Sequence, residues 1–190
     1  MYSNIAYIFF RSERDCPVIK RYKILLLLFM IACFAPACSQ QQGIDKSKFV
    51  KVDRAARAAR DSLASGASYQ QFSELVQGLA AEIAALRGRV TSGEELGLLG
   101  AYSDLLSFYR DGLLLWKYKL DFAPFDFVPK GRIYVGQDVE PIVSKYRFHT
   151  ELQIYQPTRQ YWKSISEDSI RIIWNNADSQ LKIIENMKNY

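Results

Sequence analysis

The chain has 190 residues, 49% hydrophobic and 24% charged, with a formal charge of +5. Residues 1–37 hold five Lys/Arg and two Asp/Glu, so the remainder carries only about +2, no basic excess of the kind that marks a nucleic-acid partner. All three cysteines (Cys16, Cys33 and Cys38) fall in the first 38 residues, which leaves the rest no thiol for a disulfide, a thiolate metal site or a nucleophile.

Lys20-Arg21-Tyr22-Lys23 precedes an uncharged run from Ile24 to Ala37. A basic n-region, an apolar h-region and small residues at its end are the parts of a secretory signal. At about 1.5 Å per residue the run spans roughly 21 Å, short of a hydrocarbon core of about 30 Å. Pro36 also interrupts it, so a cleaved signal at 1–37 fits better than a permanent membrane helix. Met1 to Pro17 carries Arg11, Glu13, Arg14 and Asp15 ahead of the n-region. Translation from Val18 would leave a compact n-region, Val18-Ile19-Lys20-Arg21-Tyr22-Lys23.

The end of the run, Ala35-Pro36-Ala37-Cys38, resembles a bacterial lipoprotein box, with Ala35 where such boxes usually carry Leu. The resemblance implies that the Cys38 thiol receives a diacylglycerol, that the peptide is cut before it, and that the new amine is acylated, commonly with palmitate. Met30-Ile31-Ala32-Cys33 is a second candidate; Cys38 is preferred because polar Ser39-Gln40-Gln41-Gln42 follows it directly. Two or three acyl chains hold a protein stably at a membrane where one does not. A lipoprotein of this class belongs to the cell envelope, outside the cytoplasm. In a Gram-negative cell, Ser39 after the cysteine implies the outer membrane.

Ser39 to Lys48 reads as a polar tether at 38–48, disordered or extended, with one domain at 49–190. The first helix is expected over about 49–65, where Phe49, Val52, Ala55, Ala56, Ala59 and Leu63 recur at three and four and Gly66 is a stop. Its other face carries Lys51, Arg54, Arg57 and Arg60. These would either attract anionic headgroups or, more simply, form a solvated face with Asp53–Arg57 and Arg57–Asp61 pairs. Ser68 with Gln71 is a capping box opening a helix over 68–90, whose stripe is Tyr69, Phe72, Leu75, Val76, Leu79, Ile83, Leu86 and Val90. Ser92 with Glu95 is another, opening a helix over 94–120 that should form an antiparallel hairpin with its predecessor. Within it Leu113-Leu114-Leu115-Trp116 is apolar all round, which predicts burial on every side.

Pro124, Pro129 and Gly131 end the helix, while Phe122, Phe125 and Phe127 are too apolar for a solvated loop. The segment is expected to fold back over the bundle end. Arg132 to Val135 reads as a short strand, and Asp138 as the cap of a short helix with Pro141 in its first turn and Ile142, Val143 and Tyr146 inward. From Tyr146 to Ile154, Tyr146, Phe148, Thr150, Leu152 and Ile154 alternate with polar residues, a strand pattern able to pair with Ile133–Val135. From about 166 to 187, Ile170, Ile173, Trp174, Ala177, Leu181 and Ile184 mark a last helix. The expected fold is mostly α: a bundle of about four helices, capped by an irregular segment with a short β-hairpin at 121–156.

Chemistry is thinly marked. His149 is the only histidine, and HExxH, GxSxG, CxxC, P-loop and GxGxxG patterns do not occur. The acids (Glu74, Glu82, Glu94, Glu95, Asp104, Asp111, Asp121, Asp126, Glu167, Asp168) are spread along the chain, and Glu94 and Glu95 suit a helix N-terminus. No catalytic, metal or cofactor site is expected. The candidate binding surface is aromatic: Trp116, Tyr118, Phe122, Phe125, Phe127 and Tyr134, rimmed by Lys117, Lys119, Lys130 and Arg132, for an envelope protein or glycan. The leading expectation is therefore a non-catalytic, membrane-tethered interaction or scaffold module. A small enzyme acting on cell-wall material is the rival, and an apolar-ligand carrier with a cavity lined by Leu113 to Trp116 is the third.

Overall fold

The computed structural model describes residues 43–189, so the expected signal, Cys33, Cys38 and the first part of the expected tether lie outside the described residues. The helical stripes fold as their spacing requires. The elements are α1 (Val50–Ala64), α2 (Tyr69–Leu86), α3 (Gly93–Phe122), β1 (Arg132–Val135), α4 (Glu140–Tyr146), β2 (Glu151–Tyr155), β3 (Gln160–Ser166) and α5 (Asp168–Asn189). The fold is mostly helical. Its described residues hold five α-helices rather than four, the fifth being short α4 around Pro141.

Capping behaves largely as the sequence predicts. Ser68 and Gln71 make a reciprocal box at the start of α2. Ser92 Oγ accepts the Glu95 N–H at 3.1 Å, but the Glu95 carboxylate reaches past Ser92 to the Thr91 N–H at 2.9 Å. Val139 rather than Asp138 occupies the N-cap of α4, without a side-chain bond. Asp138 accepts from the Tyr118 hydroxyl instead, at 3.3 Å.

Two apolar cores meet along α3. The larger holds Phe49, Phe72, Leu79, Leu98, Tyr102, Leu105 and Tyr109, with Ala177, Leu181 and Ile184 of α5. The smaller joins Leu115 to Ile133, Val139, Ile142, Ile165 and Ile173. The Leu113–Trp116 stretch is divided between them: Leu113 and Trp116 serve the first, Leu114 and Leu115 the second. Leu113 and Leu115 are buried, while Leu114 and Trp116 are half-buried, so the expected burial on every side holds for two of the four.

The sheet departs from the expected hairpin. Its order is β1-β3-β2, both pairings antiparallel, so β1 and β2 never pair; the hairpin is β2–β3. Ile133 faces Ile165 across β1–β3, and Gln153 faces Trp162 across β2–β3. The expected strand from Tyr146 is also shorter: α4 continues through Tyr146, and Arg147 turns the chain at φ 54° before β2 begins at Glu151. Within β2 the burial is inverted relative to hydrophobicity. Leu152 and Ile154 are 70% and 48% exposed, while Gln153 is half-buried with its Nε2 3.3 Å from Ser164 Oγ. Alternation fixes that two faces differ; which face is covered depends on what packs there.

The last residues of the expected tether, 44–48, are packed on the domain. Lys46–Phe49 forms a 3-10 helix capped by Asp45, and Ile44 packs on the larger core. Lys48 Nζ donates to both Glu95 oxygens, at 2.7 and 2.9 Å, and the Asp45 N–H to Oε1 at 3.4 Å. The chain therefore joins the domain at the N-terminal end of α3. With four donors around it, chiefly Lys48 and then the Thr91, Ser92 and Asp45 segments, the Glu95 carboxyl is held down to about 2 although burial opposes this.

Candidate functional site

At the other end of α3, Tyr118 and Phe122 sit four residues apart on one helical face, rings stacked at 5.5 Å. The turn after Phe122 returns the chain so that Phe125 and Phe127 come to 5.9 and 6.4 Å from the Phe122 ring. Gly131, at φ 78°, lets the chain double back into β1, and its carbonyl accepts the Glu167 N–H at 2.9 Å. Tyr134 of β1 then lies 4.7 Å from Phe122.

The β2–β3 hairpin completes the cluster. Tyr155 and Trp162 approach Phe127 at 5.7 and 5.6 Å, and Trp162 lies 5.5 Å from Tyr134. Together these rings line an open cleft of about 790 Å³ formed by Phe122, Phe125, Phe127, Tyr134, Tyr155, Arg159, Gln160, Tyr161 and Trp162. That volume falls in the roughly 300–1,000 Å³ range of small-molecule sites. Phe125 and Tyr161 are 50% and 70% exposed. Trp162 Nε1 is shielded from solvent and has no hydrogen-bond partner among the described residues.

Five of the six predicted surface residues are thus in one ring cluster: Tyr118, Phe122, Phe125, Phe127 and Tyr134, of which Tyr118 lies behind the cleft rather than in its lining. Trp116 is separate. Two residues before Tyr118 on a helix, it points to another side and packs against Tyr69 and Phe72 at 5.8 and 6.3 Å. The expected basic rim is partly spent on ion pairs: Lys117 with Asp121 at 2.7 Å, Lys119 with Glu167 at 2.8 Å and Arg132 with Glu151 at 3.0 Å. Arg159, in the hairpin turn at φ 54°, makes no ion pair among the described residues and lines the cleft itself.

Sequence reasoning missed Tyr155, Arg159, Gln160, Tyr161 and Trp162. The signal was present: two runs rich in aromatic and β-branched residues flank Gln156-Pro157-Thr158-Arg159, the composition of a hairpin turn.

Several of the acids pair with structural partners. Asp53 accepts from Tyr102 (2.9 Å), Lys188 (2.6 Å) and Arg57 (3.1 Å). Burial alone would raise its carboxyl, but these three bonds override it and hold the group below its ordinary value. Asp111 accepts from Lys145 at 2.6 Å and Tyr146 at 2.8 Å. On the α1 face Arg57 pairs with Asp53 as expected, and also with Glu185; Asp61 is taken by Arg60 rather than Arg57. His149 is exposed in the link between α4 and β2. Among the described residues no three His, Cys, Asp or Glu side chains gather as metal ligands, and no helix is long and apolar enough to cross a membrane. Comparison with protein-family models, curated proteins and solved structures gave no match to this chain.

Proposed function

We propose that this chain is a lipoprotein of the bacterial envelope, tethered through Cys38, that works as a non-catalytic interaction module. The observation that carries the reading is the aromatic cleft. Six rings (Phe122, Phe125, Phe127, Tyr134, Tyr155 and Trp162) gather along one open depression at the end of a long helix, with Phe125 half exposed to solvent. Clustered aromatic side chains cost apolar hydration when left open, and they supply most of the binding energy where such surfaces are covered. The Lipid anchor rests on the lipoprotein-box resemblance at Ala35 to Cys38 and on the polar sequence after it.

Labelling with a clickable palmitate analogue tests the tether, comparing wild type with Cys38→Ala and Cys33→Ala and then fractionating membranes. Label and membrane retention should vanish with Cys38→Ala alone. Label that survives Cys38→Ala moves the anchor to Cys33 or ends the lipoprotein reading. The interaction role predicts that Phe125→Ala and Phe127→Ala abolish function while the domain stays folded, and that neutralising any single carboxylate is tolerated. Complete loss of function from one Asp→Asn change in a folded protein would favour the cell-wall enzyme instead.

A further inference from the structure

We infer that the aromatic cleft is a carbohydrate site, taking the pyranose rings of a cell-wall glycan rather than a lipid or an apolar peptide. The inference rests on the binding-module reading above.

The first argument is the lining itself. Of nine residues, seven are aromatic, two are polar (Arg159 and Gln160), and none is aliphatic. Flexible acyl chains are matched by pliant aliphatic walls, which this lining lacks. This domain has such side chains on the same hairpin but holds them out of the cleft: Leu152 and Ile154 alternate with Gln153 and Tyr155 along β2 and so point to the opposite sheet face. A pyranose suits what remains. Its axial C–H hydrogens carry partial positive charge and lie flat on the electron-rich face of a ring, while its equatorial hydroxyls need hydrogen-bonding groups at the edge. Tyr134 and Tyr155 bring hydroxyls to the same walls as the rings, whereas Tyr161, paired with Ile154 across β2–β3, turns its side chain to the opposite face. Arg159, with no ion pair among the described residues, and Gln160 supply planar groups for hydroxyl or carboxylate substituents.

The second argument is position. The chain enters the domain at Asp45, beside Glu95 in the first turn of α3, whereas the cleft begins at Phe122, its last residue. At about 1.5 Å per residue the two ends of this helix are roughly 40 Å apart. Six residues lie between Cys38 and Asp45, a reach of at most about 25 Å. The point where the chain enters the domain and the cleft thus lie at opposite ends of α3.

The test uses the full lipidated chain in detergent, sedimented with protein-free peptidoglycan sacculi and titrated with N-acetylglucosamine oligomers while tryptophan fluorescence is followed. Retention on sacculi and a saturable fluorescence change are expected. Both should weaken at least tenfold in Phe125→Ala, Tyr155→Ala and Arg159→Asn, the last chosen because Asn tolerates the left-handed turn. Leu152→Ser on the opposite face should bind normally, and circular dichroism melts should show every variant folded. A photo-crosslinker at position 125 in intact cells separates the two readings. If sacculi and oligomers fail to bind but the crosslinker captures one protein, and Phe127→Ala abolishes that capture, the glycan is overturned and the interaction module stands. If neither glycan nor protein engages the cleft, both fall.

Discussion

Gly112 of α3 and Trp174 of α5 are packed so closely that a methyl group on the first would overlap the indole of the second. That indole is held by neighbours that cannot easily give way, Phe72 at 5.3 Å and Tyr109 at 6.3 Å. The glycine is what lets α3 and α5 approach with a tryptophan between them. Gly112→Ala should therefore destabilise the domain by about 1–3 kcal/mol, despite the higher helix propensity of alanine. Urea unfolding measures it. Combining Gly112→Ala with Trp174→Leu should recover part of the loss; strict additivity of the two changes would remove the clash as the cause.

Tyr109 is buried beside that pair, and its hydroxyl has no hydrogen-bond partner among the described residues. A buried polar group left unpaired carries its full desolvation cost. Tyr109→Phe should raise stability by about 1 kcal/mol, seen as a higher thermal midpoint. A lowered midpoint would mean that the hydroxyl is satisfied in solution.

Asp53 joins three helices, accepting from Tyr102 of α3 and Lys188 of α5 from its place on α1. Asp53→Ala leaves the fully buried Tyr102 without an acceptor, and should cost about 1–3 kcal/mol. Adding Tyr102→Phe removes the orphaned hydroxyl, so the double variant should be more stable than Asp53→Ala alone. A double variant less stable than either single would contradict this coupling.

Glu95 couples stability to acid. Its carboxyl sits near 2 in the folded chain, against an ordinary value of 4.5. The folded state thus favours the ionised form, so the stabilisation is fully present above about 4.5 and is lost as pH falls toward 2. Denaturant midpoints measured from pH 7 down to pH 3 should fall more steeply in wild type than in Glu95→Gln. Parallel curves would show that the Lys48–Glu95 pair does not set the acid limit.

Much of this architecture is legible in the chain because helices are written in local terms. The stripe from Tyr69 to Leu86 and the Ser68–Gln71 box define α2 without reference to anything distant. The run around Leu113 likewise announces a turn shared between two apolar layers, although Leu114 and Trp116 end half-buried. Likewise Phe122, Phe125, Phe127 and Tyr134 are too aromatic and too close in sequence for the Pro-rich turn to scatter them, so their cluster could be anticipated.

Strand partnership and the cleft's far wall could not be read in this way. Pairing of β1 with β3 joins residues 28 to 34 positions apart, and nothing in Arg132–Val135 encodes Ser166 over the nearer Glu151 as its partner. The inward turn of Gln153 and outward turn of Leu152 follow from where the helices stop covering the sheet. Trp116 and Tyr118, two positions apart, were separated by the 3.6-residue helical period only once the packing on either side of α3 was fixed. Local spacing, the hydrophobic pattern and the caps were enough to set the helices and one wall of the site. The opposite wall, from Tyr155 to Trp162, depended on long-range strand pairing, whose closure entropy and register are properties of the folded whole.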